Sequence, residues 1–65
     1  MIYIVIDLET HSNVAVADNL KEARVQTYKT VSDLVDWEDF DNDFYQYYEV
    51  EVWCGGGKLV DRYPL

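Results

Sequence analysis

Asp7 and Glu9 stand one residue apart where the apolar run from Met1 to Ile6 gives way, in the stretch VIDLET. Two carboxylates at the end of a strand are the beginning of a divalent-metal site. The chemistry such a pair serves is metal-assisted hydrolysis, which needs further carboxylates from separate elements and a base to activate water. Three other stretches carry reactive types. DFDNDFYQYYEVE puts Asp39, Asp41 and Asp43 at the first, third and fifth positions of a calcium loop. Phe44 then occupies the sixth position, which needs glycine, and Val50 the twelfth, which needs glutamate. CGGGK has the Gly-Lys pair of a phosphate loop, but Val52 stands at the earlier glycine position and Leu59 follows Lys58 where Ser or Thr is required. His11 is the only histidine and Cys54 the only cysteine, so one chain cannot assemble a zinc site from them. As a nucleophile and base they would lack an orienting third group.

The VIDLET stretch resembles the first motif of the DnaQ-like (DEDD) exonucleases, in which a strand carries an Asp-x-Glu pair onto metal ions. The resemblance implies that Asp7 and Glu9 would be the metal ligands. It also implies further Asp residues and a His or Tyr on later helices of a much longer α/β domain. The resemblance covers about ten residues, and the rest of the chain has no room for the remaining elements. Asp7 and Glu9 therefore read as the end of a strand entering a turn. No catalytic constellation, metal site or cofactor is expected, and the chain reads as a non-enzyme.

Charge is the more informative signal. The 65 residues carry a net charge of −8. No basic residue lies between Lys29 and Lys58, whereas Asp33, Asp36, Glu38, Asp39, Asp41, Asp43, Glu49 and Glu51 do. The five acidic residues outside that window are balanced by the five basic ones. A regional concentration of this kind attracts basic partners and repels nucleic acid, so direct nucleic-acid binding is not expected. Hydrophobic residues make up 49%, a globular rather than disordered composition. The longest apolar run is far short of the roughly 20 residues that span a bilayer, and it lacks the basic flank of a signal peptide. A single cysteine fits a reducing cytoplasm. One domain, residues 1–65, is expected, with a thin core, because a chain this short buries only about 60% of its unfolded surface.

Periodicity supplies the elements that position these residues. Ile2, Ile4 and Ile6 alternate with Tyr3, Val5 and Asp7, the period of a strand. Asn13 to Ala17 predicts a second strand, returning as a hairpin. Asp18 or Asn19 caps a helix, with Asn19 and Glu22 as a capping-box variant, predicted from Asn19 to Asp36 with a break near Thr30. Leu20, Ala23, Thr27, Val31, Leu34 and Val35 form its apolar face. Trp37 to Asp43 reads as an acidic connection. Phe44 to Trp53 reads as the third strand, Gly55-Gly56-Gly57 as a turn and Lys58 to Tyr63 as the fourth strand, which Pro64 does not extend. The predicted fold is α+β, ββαββ, with one helix on a four-stranded antiparallel sheet.

That arithmetic leaves one sheet face uncovered. With Tyr48, Val50, Val52 and Cys54 turned to the helix, Tyr45, Tyr47, Glu49, Glu51 and Trp53 face outward, beside Tyr3 and Asp7. Aromatic residues supply contact area at low entropy cost, so this face is a candidate interface. The expected partner-binding residues are Asp36, Trp37, Glu38, Asp39, Asp41, Asp43, Tyr45, Tyr47, Glu49, Glu51 and Trp53. Their combination suits a protein that occupies the basic, nucleic-acid-binding surface of another protein. DNA carries a charge about every 1.7 Å of helix axis, and a carboxylate stripe imitates it. In size, acidity and lack of catalytic groups the chain resembles small phage-encoded inhibitors such as anti-restriction proteins, anti-CRISPR proteins and uracil-DNA glycosylase inhibitors. The resemblance is one of class and carries over no individual residue. The alternative is a self-associating accessory module, a homodimer joined through the aromatic sheet face.

Overall fold

A computed structural model describes all residues, 1–65. Four strands, β1 (Ile2–Asp7), β2 (Asn13–Ala17), β3 (Tyr48–Trp53) and β4 (Leu59–Pro64), form one antiparallel sheet in the order β2-β1-β3-β4. Two helices, α1 (Leu20–Val31) and α2 (Trp37–Asn42), and a 3₁₀ turn over Phe44–Tyr47 lie between β2 and β3. The α+β class and the four-stranded antiparallel sheet are as expected. The single long helix is not: the chain between β2 and β3 divides into two helices and a turn.

The helix α1 begins where the sequence predicts, because the Asn19 side chain accepts a hydrogen bond from the Glu22 amide at 2.9 Å. It ends at Val31, five residues before the predicted limit. Thr27 and Thr30 turn their hydroxyls back onto the carbonyls of Ala23 and Thr27, and the amides of Leu34 and Val35 both close on the Val31 carbonyl. Such back-bonding weakens a helix, and the β-branched residues here add to it. Ala23 and Thr27 are buried, but Leu34, assigned to the same face, is 86% exposed because it lies beyond the helix end.

The expected acidic connection is instead α2. Asp36 precedes it without a side-chain cap, and its first turn carries Glu38 and Asp39. These suit the positive end of the helix dipole. Its other end carries Asp41 and Asp43 and no basic residue, which the dipole disfavours. Six residues cannot sustain a helix alone. What holds it is Phe40, fully buried, whose ring lies 5.4 Å from Tyr28, 5.7 Å from Trp37 and 6.3 Å from both Phe44 and Tyr48. Full burial of such a ring stabilises by about 1.5–3 kcal/mol.

The third strand is shorter than predicted. Phe44–Tyr47 coils as a 3₁₀ turn, and pairing starts at Tyr48. Pro64 takes a place at the end of β4 after all, opposite Glu49. An edge strand tolerates a residue with no amide proton. Leu65 follows into the core, its amide donating to the Tyr48 carbonyl.

Register decides which face is inside. Tyr3, Val5 and Asp7 lie opposite Val52, Val50 and Tyr48, and Ile2, Ile4 and Ile6 lie opposite Trp53, Glu51 and Glu49. Directly opposed residues share a face. Val5, Tyr48, Val50 and Val52 are buried, with Tyr3 packed on the same cluster. The helices therefore cover the Tyr3–Val5–Asp7 face. The three isoleucines lie on the open one. The expectation that Tyr3 and Asp7 would flank an outward patch is thus reversed, and Cys54 falls just beyond β3 rather than within its buried set.

Candidate functional site

The residues expected to bind a partner divide between two surfaces. Asp36, Trp37, Glu38, Asp39, Asp41 and Asp43 belong to α2 and its two flanking residues. All six are exposed. Tyr47 continues this surface from the 3₁₀ turn and is 58% exposed. Phe44 lies beneath it, with ring centroids 5.1 Å apart. Glu49, Glu51 and Trp53 lie instead on the open face of the sheet. The assignment of Tyr45 and Tyr47 to that face is corrected, because the strand begins only at Tyr48. Tyr45 also turns inward against the core, with the guanidinium carbon of Arg24 5.4 Å from its ring centroid.

The carboxylates differ in how far they are compensated. Arg24 pairs with Asp41 at 2.9 Å, and Arg62 pairs with both Glu49 and Glu51 at 2.9 Å. These are the ion pairs of the molecule. The two glutamates raise the Arg62 guanidinium above its ordinary value, chiefly through the hydrogen bond to Glu51. Trp53 donates its indole N–H to Glu51 at 3.3 Å. Asp33, Asp36, Glu38, Asp39 and Asp43 carry no basic partner. The negative field is therefore concentrated around α2, while on the sheet face one arginine offsets half of the glutamate pair.

A third surface joins Asp7 and Glu9 to aromatic residues that the sequence does not connect with them. Asp7, Glu9, Phe44, Tyr47 and Tyr48 line an open groove of about 250 Å³. Asp7 closes a turn: its Oδ1 accepts from the amides of Glu9 at 2.8 Å and Thr10 at 3.3 Å. This is the strand-end role that the sequence suggests. The Leu8 amide donates to the Tyr47 carbonyl at 3.1 Å, bringing that turn against the 3₁₀ turn. The Tyr48 phenol is raised above its ordinary value, first by burial and then by the charge of Asp7. No local signal in the sequence links residues 7–9 to 44–48, because the link is the pairing of β1 with β3.

The other chemical candidates do not converge. His11 sits in the turn with φ 59°, and Cys54 is a free thiol at the far end of the sheet. No three His, Cys, Asp or Glu side chains come together as a metal-holding group. The Cys54 thiol is lowered from its ordinary value by hydrogen bonds from the backbone of Gly56 and Lys58. The glycines form the hairpin turn, with Gly57 at φ 78°. No helix is long and apolar enough to cross a membrane.

Comparison with protein-family models, with curated proteins and with solved structures finds no match for the chain.

Proposed function

We propose that this is a non-catalytic acidic binding protein that occupies a basic, nucleic-acid-binding surface of another protein in the cytoplasm. The observation that carries the reading is the α2 surface, where Asp36, Glu38, Asp39 and Asp43 have no basic partner, Asp39 and Asp43 stand beside the exposed Tyr47, and Trp37 is exposed at the start of the helix, against α1. Charge at this density steers association, and exposed aromatic rings supply the area on which affinity depends. In acidity and size the chain resembles the class of small phage-encoded inhibitors. The triple variant Asp36→Asn, Asp39→Asn, Asp43→Asn tests it, in capture from bacterial lysate at low and high salt. A nucleic-acid-binding protein retained by the native chain at low salt should be lost both at high salt and with the variant. Capture unaffected by neutralisation would sink the reading.

A second reading, self-association, has its own observation. Ile2, Ile4, Ile6, Val16 and Leu59 lie with Trp53 on the uncovered sheet face, and Val16 is 62% exposed. Four strands of about six residues give a footprint of roughly 400 Å². That is about half of the roughly 800 Å² that each partner of a standard interface buries. It therefore ranks second. Sedimentation of the native chain and of Val16→Asp decides it: a dimer dissolved by the substitution supports the sheet face, and a monomer at all concentrations removes it.

A further inference from the structure

We infer that the groove between the β1 end and the 3₁₀ turn is a socket for a single arginine side chain presented by a basic protein segment. The inference rests on the acidic-binding reading and names where one anchor residue of such a partner would sit.

Both components of a guanidinium site are present. Asp7 and Glu9 supply the carboxylates, and the exposed ring of Tyr47 supplies the aromatic face, with the half-buried Phe44 packed against it and the buried Tyr48 at the base. One oxygen of Asp7 is held by two backbone amides, which fixes the carboxylate in place. Its other oxygen and both oxygens of Glu9 make no hydrogen bond within the chain, and neither residue belongs to an ion pair. A guanidinium is planar and carries five N–H donors. It can donate to carboxylates in its plane while its face lies against an aromatic ring. A lysine ammonium meets only the charge half of that arrangement.

The molecule already uses this chemistry internally. Arg24 pairs with Asp41 at 2.9 Å while its guanidinium carbon lies 5.4 Å from the centroid of the Tyr45 ring. The groove offers the same two group types on the outside, with no basic side chain in its lining.

Shape and rigidity are consistent with this. The groove is open, so it takes a side chain laid against its wall rather than an enclosed molecule. The two walls are tied by the Leu8–Tyr47 hydrogen bond and by the pairing of Asp7 with Tyr48. Binding therefore requires little ordering of the protein. Carboxylates without partners on nearby α2 add attraction for a positively charged segment.

The test is a titration followed by amide NMR of the labelled full chain. The ligand is an acetylated glycine–serine peptide carrying one arginine, and its control carries the neutral isostere citrulline. Binding of about millimolar strength is expected for one anchored side chain. Shifts should centre on Glu9, Phe44 and Tyr47, and citrulline should abolish them. Tyr47→Ala and Glu9→Gln should each weaken binding about fivefold, as loss of a ring face or an ionic hydrogen bond does. Tyr47→Phe, which keeps the ring, should bind like the native chain and shows that the site is still folded. Shifts confined to residues 36–43, lost in the α2 triple variant but unchanged by Tyr47→Ala, would overturn the socket and leave the acidic-binding reading standing. Shifts in the groove that survive the α2 triple variant support the socket even if lysate capture fails. Equal shifts with arginine and citrulline, or none with either, would overturn it.

Discussion

At the scale of single residues, Tyr48 carries a consequence that can be measured. Its ring packs in the core, and the residue pairs with Asp7 on the neighbouring strand. Burial first, and the Asp7 charge second, keep the proton on. Tyr63 is raised in the same direction, by burial and then by Tyr3 and Asp61. Below about pH 10 these phenols are protonated in both the folded and the unfolded chain, so their contribution to stability is constant. As the pH rises past that value the unfolded chain ionises first, and stability falls until the folded-state phenols follow. Thermal unfolding followed by circular dichroism from pH 8 to 11 should therefore show a midpoint that drops above about pH 10. Tyr48→Phe should make that drop shallower, and an identical profile would show that the phenol is not perturbed.

At the scale of elements, α2 depends on its neighbours rather than on itself. Its charges oppose the dipole at its C-terminal end, it lacks a side-chain cap, and one buried ring anchors it. Phe40→Ala should cost about 3–5 kcal/mol. A chain of this length has only about 3–10 kcal/mol in all. Urea unfolding should show the variant largely or wholly unfolded in buffer. Asn19→Ala, which removes the α1 cap, should lower stability by only about 1 kcal/mol in the same measurement. The contrast follows from what each residue supplies: one hydrogen bond in the second case, and in the first the centre of a cluster joining Tyr28, Trp37, Phe44 and Tyr48. A matching cost for the two variants would mean that α2 does not dock through Phe40.

At the scale of the whole molecule, the net charge of −8 is borne by a body only 16 Å across its thinnest dimension. Three ion pairs involve only two of the five basic side chains, Arg24 and Arg62. Most of the negative charge is left to repel itself, above all around α2. Screening should relieve this. Raising sodium chloride from about 20 mM to 500 mM shortens the Debye length from roughly 20 Å to about 4 Å, and the melting midpoint should rise. A midpoint unmoved or lowered by salt would mean that the ion pairs of Arg24 and Arg62 outweigh the repulsion. The same field that destabilises the isolated molecule would attract a basic partner, so capture should weaken over the range in which the melting midpoint rises.

Local chemistry determined the strands β1 and β2, the Asn19 cap, the glycine hairpin, the α+β class and the regional acidity, because alternation, capping residues and turn glycines act within a few positions of one another. Tertiary structure decided what depends on distant partners. It chose the buried face of β1: isoleucine, tyrosine and valine all suit a strand, and only the pairing with Tyr48, Val50 and Val52 turns Tyr3 and Val5 inward and leaves Ile2, Ile4 and Ile6 open. It made a helix of an acidic segment with poor end charges, because Phe40 gains more by burial than the charges lose. It divided one run of carboxylates between two surfaces, since Glu49 and Glu51 alternate with buried residues and meet Arg62 across the sheet. It also set Asp7 and Glu9 beside Phe44 and Tyr47, a juxtaposition created by strand pairing across some forty residues of chain, over which local periodicity carries no information.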